Sequence, residues 1–488
     1  MNTMCTRRTA IGGILAAAAW PAPAADPGLP GALAPSAMAG DVALLRRAYE
    51  TLHPGLYRYQ TPALSAARFD ALAAAVRRPM APAAFYLLLS RFLATVRCGH
   101  SYANFFNQSK RVQRALFDAA PRLPLEFLWL GDRMIVTGDP YATGIVRGSE
   151  VLAIDGRAAG EVLARLMTVA RADGGNDAKR RRLLSVQGED GYETFDIFHA
   201  LMFGAGDRFR LDVRAPDGRR RSAELRGVTL AQRRTQRGSM ADASGDTPLW
   251  TLVRRGDSAV LTMPGWGLYN SKWDWAGWLN TAVDRLVAER VPRLVVDIRG
   301  NEGGIDCGDV LAARLAGRTI VSDDARRLVR YRRIPDDLRP HLDTWDRSFD
   351  DWGAEAQPYD ARFLELTGPE RRATVIEPKG PRYTGKVVVL TGAQNSSATF
   401  QFAQMIQRER LATLMGETTG GNRRGINGGA FYFLRLPETG LEADLPLIGT
   451  FARGAQPDAG IVPDVTVPAT AAMIAAGADS AMDRALAA

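Results

Sequence analysis

The chain contains few lysines, histidines and cysteines. Only five of its 62 basic residues are lysines, at positions 110, 179, 272, 379 and 386, and its 488 residues include four histidines and three cysteines. Two of the cysteines, Cys98 and Cys307, lie beyond the N-terminal segment. They allow at most one disulfide bridge, which excludes a fold stapled by several bridges. None of the five lysines is placed as an obvious catalytic base.

Long apolar runs and nucleic-acid motifs are also absent. Beyond the N-terminal segment no stretch reaches about 18 consecutive apolar residues, so stable membrane insertion of the mature chain is not expected. The formal net charge of +9 comes almost wholly from arginine, in runs that are scattered along the chain. Such runs are typical of solvated faces, and nucleic acid is not an expected partner. No metal-ligand cluster or phosphate loop occurs, so neither a metal nor another cofactor is expected. The oligomeric state is not indicated.

The N-terminus has the pattern of a signal peptide. Arg7 and Arg8 precede an apolar run over residues 9–20, and Ala22-Pro-Ala24 fits a small-x-small cleavage site. Residues 1–24 are therefore predicted to direct export to the periplasm or the extracellular space. The twin-arginine route and the general secretion route both stay open. A Pro-, Ala- and Gly-rich flexible lead is predicted over residues 25–40.

Three domains and a tail are predicted beyond the lead. Amphipathic periodicity predicts an N-terminal helical domain over residues 41–118, and strand-like runs begin a second domain over residues 120–228. Residues 144–156, GIVRGSEVLAIDG, resemble a segment of PDZ domains, which bind peptide ends by strand addition. Strands alternate with helices over residues 248–470, which predicts an α/β domain with a mostly parallel, crotonase-like sheet. A helical tail is predicted over residues 471–488.

Residues 387–407 carry the first candidate for catalysis. They read VVVLTGAQNSSATFQFAQMIQ, which predicts a buried strand, a small polar turn and a helix. A serine between a strand end and a helix N-terminus lies where backbone N–H groups and the helix dipole stabilise negative charge. Ser397 is therefore the candidate nucleophile. A helix cap is the alternative role for a serine at this place.

A second buried strand ends in a glycine-rich turn. Residues 294–304 read LVVDIRGNEGG. Paired glycines expose consecutive backbone N–H groups without interference from Cβ atoms, which suits an oxyanion hole. The backbone N–H of Gly303 or Gly304, together with that of Ala398, is therefore the candidate donor set for an oxyanion.

Together these motifs resemble those of the C-terminal processing (tail-specific) serine peptidases, a family whose relatives include the tricorn protease core and a retinoid-binding protein. Residues 297–304 are similar to the family's Asp-Leu-Arg-x-Asn-x-Gly-Gly turn. Residues 395–400 are similar to its Ser-Ala-Ser-Ala-Ser-Glu segment, with Ser397 at the catalytic serine and Phe400 in place of the glutamate. Residues 460–464, GIVPD, resemble its closing Gly-Val-x-Pro-Asp. The resemblance covers residues 40–470 and implies a serine peptidase.

The chain departs from this family at the residue that activates the serine. The family has a lysine 25 positions after the serine, and that position is Asn422 here, in the segment GETTGGN. An amide cannot take the proton of a serine, and the following Arg423 and Arg424 stay protonated. Asn422, Arg423 and Arg424 are therefore predicted to bind substrate, the arginines through a carboxylate.

His100 is the candidate base in place of the lysine. It lies in RCGHSYA, residues 97–103, where a glycine follows a helix-like run and leaves the histidine free to point into a cleft. In the tricorn-like branch of the family, a histidine in a similar motif is the general base. The alternative is a purely structural histidine.

A third group is expected to orient the imidazole of His100. Asp458, in the segment QPDAG, is the preferred candidate near the position of a late glutamate in the tricorn-like branch. Glu442 and Asp444 are alternatives, and a turn-capping role next to Pro457 is equally compatible with Asp458.

The sequence thus predicts an exported serine hydrolase, a peptidase that cleaves peptide or protein substrates through an acyl-enzyme formed by a Ser–His pair. Two alternatives stay open: a catalytically silent protein that binds a peptide or small ligand on the same fold, and an esterase or amidase for small molecules. Because Cys98 precedes His100 and Cys307 follows Gly304, the two thiols are expected near one site and within reach of a bridge. Free buried thiols are nevertheless the favoured state, because disulfide geometry is demanding, and a bridge is the alternative.

Overall fold

The computed structural model describes residues 29–188, 191–204, 206–236, 244–323, 325–368 and 374–488. The predicted signal peptide, residues 1–24, lies outside the described residues. No helix in the described ranges is both long enough and apolar enough to cross a membrane.

The N-terminal part is helical, and its three long helices begin with proline. They are α1 (Pro35–Leu52), α2 (Pro62–Ala75) and α3 (Pro82–Thr95), followed by the short α4 (Lys110–Gln113). Proline is favoured in the first turn because the N–H group that it lacks would have no partner in the helix. Because α1 begins at Pro35, the predicted flexible lead over residues 25–40 is too long and is corrected.

The second part is an antiparallel sheet with helical insertions. Its elements are β1 (Glu126–Leu130), β2 (Arg133–Gly138), β3 (Glu150–Ile154), β4 (Arg157–Ala158), α5 (Ala159–Leu166), α6 (Asp177–Leu183), α7 (Thr194–Phe203), β5 (Arg208–Arg214), β6 (Arg220–Arg226) and α8 (Leu230–Gln236). The strand order is β1-β2-β3-β5-β6, and β4 pairs with β3. The PDZ-like character of this part stays a prediction.

The rest of the chain alternates strands and helices. Its elements are β7 (Thr251–Arg255), β8 (Ser258–Thr262), α9 (Trp275–Ala288), β9 (Arg293–Asp297), α10 (Cys307–Leu315), β10 (Ile320–Ser322), β11 (Ala325–Val329), β12 (Leu342–Asp343), β13 (Ala356–Pro358), β14 (Leu364–Leu366), β15 (Thr374–Ile376), β16 (Lys386–Thr391), α11 (Ser397–Glu409), β17 (Thr413–Gly416), β18 (Asn427–Leu436), β19 (Leu441–Ala452), β20 (Val465–Thr466), α12 (Ala471–Ala476) and α13 (Ser480–Ala487). Together with the helical and antiparallel parts, this alternation confirms the multidomain α/β class.

One of its sheets is mostly parallel and carries both predicted motifs. Its order is β20-β17-β16-β9-β8-β7, and only the β7–β8 pair is antiparallel. Alternate residues of its strands face two different apolar clusters, so the strands are buried on both faces and read as continuous apolar runs. Strands β9 and β16 are parallel neighbours, with Asp297 beside Leu390. The glycine turn after β9 and the serine turn after β16 therefore meet at one edge of the sheet.

A second, antiparallel sheet was not anticipated. Its order is β12-β18-β19-β11-β14-β13, and it pairs strands that lie far apart in sequence, such as Ala325 with Ala452. Its long strands share one apolar cluster with the helical part and with the antiparallel sheet formed by β1 to β6. This shared packing crosses the predicted domain boundaries. The crotonase-like detail of the architecture stays a prediction.

Candidate active site

Ser397 is the first residue of α11 and has an unusual backbone conformation. Its φ angle is +52°, in the left-handed region that a residue with a Cβ atom rarely adopts. Such strain costs about 1–3 kcal/mol and clusters at functional sites, where the surrounding structure enforces it. The side chain of Ser397 is half-exposed, whereas that of the adjacent Ser396 is only 5% exposed. Of the two serines, Ser397 is the one presented to the solvent.

Two buried asparagines hold the serine turn against the glycine turn. Asn395 donates from Nδ2 to the carbonyl oxygens of Ile298 and Asn301, and its Oδ1 accepts from Gly392 N at 2.8 Å. The hydroxyl of Thr399 also donates to the Asn301 carbonyl, at 3.0 Å. Because these bonds are made by fully buried groups, they fix the relative position of the two turns firmly.

The glycine turn passes directly beside Ser397. A Cβ atom at Gly303 would lie 2.9 Å from the Cβ of Ser397 and 3.0 Å from the backbone nitrogen of Ala398. A Cβ atom at Gly304 would lie 2.1 Å from the carbonyl oxygen of Trp266, so only glycine fits at either position. The N–H of Gly303 already donates to Asn301 Oδ1 at 2.9 Å. The contacts therefore favour Gly304 over Gly303 as the partner of Ala398 in an oxyanion hole.

His100 lies in the loop after α3, and the loop is anchored on both sides of it. The N–H of Gly99 donates to Asp173 Oδ1 at 2.9 Å, and Arg171 Nη1 donates to the Gly99 carbonyl at 2.7 Å. On the other side, the hydroxyl of Ser101 is 2.8 Å from Nε2 of the buried His53. His53 is thus a structural histidine, and burial lowers its pKa to about 3.

The surroundings of His100 keep its imidazole neutral. Burial lowers the pKa of His100 below its ordinary value; Asp173 and Glu302 oppose this shift, and Arg171 and Lys179 add to it. The buried Nδ1 atom of His100 has no hydrogen-bond partner within the described ranges. A neutral imidazole can accept a proton, as a general base must.

Two carboxylates come into question for orienting His100: Asp458, which the sequence favours, and Asp173. Asp458 Oδ1 accepts from Asn422 Nδ2 at 2.7 Å and from Gly175 N at 2.9 Å, and no hydrogen bond joins Asp458 to His100 within the described part of the chain. Asp173 is buried, holds the neighbouring Gly99 and acts on His100 through its charge. No hydrogen bond joins Asp173 to His100 in the described ranges either, so Asp173 joins Asp458 as a candidate that acts on the imidazole through its charge.

The alternatives Glu442 and Asp444 lie on β19 and serve the loop beyond His100. Asp444 accepts hydrogen bonds from Asn104 at 2.8 Å and from Asn107 at 2.9 Å. The backbone of Glu442 exchanges two hydrogen bonds with the Gln108 side chain. Burial raises the pKa of both carboxyls, to about 6 for Asp444 and about 8 for Glu442. Their contacts indicate a structural role in holding this loop.

The three residues predicted to bind substrate differ in their surroundings. Asn422 is fully buried, and its side chain bonds to the Asp173 carbonyl, to Asp458 and to the backbone N–H of Arg424. Arg424 is exposed, and its Nε donates to the Gln456 carbonyl at 3.3 Å. Arg423 is exposed and lines a cleft, and no hydrogen bond or ion pair joins its guanidinium to another residue of the described chain. Arg423 is thus the best placed of the three to meet a carboxylate.

We expect Asn422→Ala to lower stability more than activity. Its loss removes one of two donors to the buried Asp173 carbonyl and one of two donors to Asp458 Oδ1, at a cost of about 1–3 kcal/mol in the free energy of unfolding. Chemical denaturation of both proteins measures this cost, and peptide hydrolysis at saturating substrate should keep at least a tenth of the wild-type rate, roughly. A dead but fully stable variant would show instead that Asn422 takes part in the chemistry.

The cleft lined by Arg423 has a volume of about 550 Å³ and runs along α11 from the residue after Ser397. Ala398, Gln401, Met405 and Arg408 face it at helical spacing, and Arg326 of β11 also lines it. Arg326 is paired with Glu365 through two bonds of 3.0 and 2.9 Å. The cleft therefore offers apolar and polar surfaces next to the candidate nucleophile.

Charged residues from the segment before and within α6 also enter the site, and sequence reasoning missed them. Lys179 Nζ donates to Glu302 Oε1 at 2.8 Å, and Arg171 Nη2 lies 2.9 Å from the same oxygen. Glu302 precedes Gly303, and its pKa falls to about 2: burial would raise it, but Arg171 and Lys179 outweigh that effect. In the sequence, Arg171 and Lys179 belong to an arginine-rich polar stretch that is typical of a solvated face. Glu302 occupies the unspecified position directly before the paired glycines of the turn motif, and this place beside Gly303 is the one sequence signal that could have indicated it.

The two cysteines are free thiols in different apolar clusters. Cys98 packs with the helical part and accepts a hydrogen bond from Asn427 Nδ2 at 3.3 Å, whereas Cys307 begins α10 beneath the parallel sheet. Burial raises the pKa of Cys98 to about 11 and raises that of Cys307 as well. This arrangement agrees with the predicted free buried thiols.

We expect both thiols of the mature protein to be silent until it unfolds. Their burial and raised pKa values suppress the thiolate that reacts with a disulfide reagent. Titration with such a reagent, before and after unfolding in guanidinium without reductant, should give no fast-reacting thiol in the first case and two in the second. Unfolded, unreduced protein with no titratable thiol would show a bridge.

Comparison with known proteins agrees with this geometry. Residues 257–466 match peptidase family S41. The structure of mature CPAF complexed with lactacystin is 15% identical, with a TM-score of 0.62 over 92% of this chain and 97% of that one. Mature CPAF is 16% identical, with a TM-score of 0.58 over 90% and 94% of the two chains. The photosystem II D1 C-terminal processing protease is 14% identical, covers 89% and 93%, and has a TM-score of 0.43. No curated protein matches the chain.

The matched range contains the glycine turn, Ser397 and most of the cleft, whereas His100 and Lys179 lie outside it. The likeness to CPAF extends over nearly the whole of both chains and shows that the fold is shared. With its serine and glycine turns inside the matched range, the chain carries the domain of a serine peptidase of family S41.

Proposed function

We propose that this serine peptidase cleaves extended peptide segments through an acyl-enzyme on Ser397, with His100 as general base. The observation that carries the proposal is the strained, half-exposed Ser397 at the start of α11, beside a glycine turn that tolerates no Cβ atom. A nucleophile on a helix N-terminus receives support from the helix dipole for the negative charge that develops during attack.

The proposed steps use Ser397, the glycine turn and His100. The neutral imidazole of His100 takes the proton of the Ser397 hydroxyl while the hydroxyl oxygen forms a bond to the carbonyl carbon of the substrate. The N–H groups of Ala398 and Gly304 stabilise the resulting oxyanion, and the imidazolium then gives its proton to the leaving amine. Water hydrolyses the acyl-enzyme by the same route in reverse. Asp173 stabilises the imidazolium through its charge.

The cleft supports an extended substrate of a few residues. From Ala398 to Arg408 the lining follows ten residues of α11, or about 15 Å at 1.5 Å per residue. An extended chain advances about 3.3 Å per residue, so the cleft accommodates about four residues on one side of the scissile bond. We place a substrate carboxylate, either a side chain or a chain end, against Arg423.

The proposal is tested by comparing an unfolded protein, peptides of increasing length and simple esters as substrates. We expect kcat/KM to rise steeply with peptide length until about four residues fill the cleft, and to exceed the value for the esters. Equal turnover of short esters and long peptides would favour a small-molecule esterase instead. Binding of peptides without any turnover would identify a silent binding protein.

We further propose that the enzyme is exported and that its leader ends at Ala24, where the small-x-small pattern stands. Expression of the full chain in a bacterium, followed by fractionation and N-terminal sequencing, tests this. A processed protein in the periplasm or medium is expected, and an unprocessed chain retained in the cytoplasm contradicts it.

A further inference from the structure

Lys179 is a deeply buried lysine that touches the serine turn. Its side chain is 2% exposed, although it lies on α6, outside the matched peptidase range. The helix is docked by its N-cap residue, because Asn176 Nδ2 donates to the carbonyl oxygens of Thr419 and Gly421, both at 2.9 Å. A Cβ atom at Gly420 would lie 2.9 Å from Lys179 Cδ, so the lysine stem packs closely on that loop.

The ammonium group has a full set of acceptors. Nζ donates to Glu302 Oε1 at 2.8 Å, to the Gln394 carbonyl at 3.0 Å and to Ser396 Oγ at 3.3 Å. The Ser396 hydroxyl in turn donates to the Glu302 carbonyl at 3.2 Å. An ammonium with three donors and three acceptors has no free lone pair, so this geometry does not suit a base for Ser397.

These bonds join the two turns that form the site. Gln394 lies three residues before Ser397, Ser396 directly precedes it, and Glu302 directly precedes Gly303. One buried cation therefore ties the backbone that mounts the nucleophile to the backbone that begins the oxyanion turn. Glu302 is held from a second direction by Arg171, which also anchors the His100 loop through Gly99.

We propose that Lys179 is a positioning residue of this peptidase: its ammonium group holds the serine turn and Glu302 in register, so that Ser397 and the oxyanion donors face the same carbonyl. The inference rests on the proposed role of Ser397 and goes beyond it, because it makes the site incomplete without a residue from the part of the chain that precedes the peptidase domain. Misplacing a nucleophile by about 1 Å lowers turnover about 100-fold.

The protonation of Lys179 gives this role a pH signature. Burial lowers the pKa of Lys179 to about 8, with Glu302 opposing and Arg171 and Arg182 adding to the shift. His100 also faces this cluster, and its imidazole is neutral above its own lowered pKa. When Lys179 loses its proton, one of the three acceptors loses its donor. Wild-type kcat should therefore fall as the pH rises through about 8.

The test compares Lys179→Met with Lys179→Gln and with Lys272→Met, a matched change at an exposed lysine. Peptide hydrolysis and the rate of fluorophosphonate labelling are measured from pH 5 to 10, with thermal melting as the check on folding. We expect Lys179→Met to lower kcat and the labelling rate about 100-fold with little change in KM. Lys179→Gln, which keeps an uncharged NH₂ group as a donor, should recover part of kcat and lack the alkaline fall, and Lys272→Met should match the wild type.

Several outcomes overturn the inference. Folded Lys179→Met or Lys179→Gln with wild-type kcat would show that the ammonium positions nothing, and an unchanged alkaline fall in Lys179→Gln would assign that limb to another group. Activity as low as that of Ser397→Ala, with the wild-type label on Ser396, would make Lys179 the base. A wild type that neither cleaves peptides nor takes the label would instead remove the proposed function of Ser397, and with it this inference. If Lys179→Met does not fold, Lys179→Gln decides between these results.

Discussion

Replacing Ser397 by alanine is expected to reduce peptide hydrolysis to background, a loss of about a million-fold in kcat, because no acyl-enzyme can form without its hydroxyl. Ser396→Ala is the matched control, since the two serines are adjacent and differ in exposure and backbone conformation. Ser396 is buried and bonded to Lys179 and to the Glu302 carbonyl, so its loss removes one anchor of the turn. We expect that variant to keep activity within about 10-fold of the wild type.

Steady-state kinetics with a peptide long enough to fill the cleft measures both losses, and thermal melting confirms that each variant is folded. The opposite pattern, a dead Ser396→Ala and an active Ser397→Ala, would place the nucleophile one residue earlier. In that case Lys179 would lie within hydrogen-bond distance of the nucleophile, and the roles of lysine and histidine would have to be exchanged.

Replacing His100 by alanine is expected to lower kcat/KM by about 10⁴-fold, the upper end of what a positioned general base contributes. The matched control is His341→Ala, a histidine in a short helical turn remote in sequence from both motifs. In the wild type the imidazole must be neutral to accept the proton. Because burial lowers the pKa of His100, activity should rise with pH through a midpoint below the ordinary value of about 6.5.

The pH dependence of kcat/KM from pH 4 to 8 measures that midpoint. Asp173→Asn should move it further down, because the carboxylate charge opposes the lowering of the His100 pKa. Asp458→Asn should leave it in place, because the contacts of Asp458 are with Asn422 and Gly175. A folded His100→Ala variant with near wild-type turnover would end the histidine-base mechanism and reduce the loop after α3 to scaffolding.

The parts of the fold and site that the sequence predicts are those defined by local patterns. Ser397 and the paired glycines stand at strand ends, and the strand, turn and helix that position them extend over fewer than twenty-five consecutive residues each. Both motifs meet because parallel neighbours place their carboxyl ends together, a general property of such sheets. The prolines at the helix starts are equally local, although the start of α1 at Pro35 was missed in an Ala- and Pro-rich segment.

The parts that could not be predicted depend on contacts between distant segments. Lys179 lies in a run of charged residues, and nothing local distinguishes it from a solvated lysine; its burial arises because α6 docks on the loops around Gly420 and Gln394. Asp173 likewise acquires its role only when the His100 loop folds over it. The second sheet joins β11 to β19 across more than a hundred residues, and no alternation pattern specifies such a partner.

The nucleophile is tested most directly by labelling the folded mature protein with a fluorophosphonate probe and locating the modified residue by mass spectrometry of its peptides. Fragment spectra distinguish the adjacent serines. We expect one phosphonyl group per chain, on Ser397, absent from Ser397→Ala and formed far more slowly in His100→Ala. A folded wild-type protein that takes up no label, or that carries it on Ser396, would contradict Ser397 as the nucleophile of this peptidase.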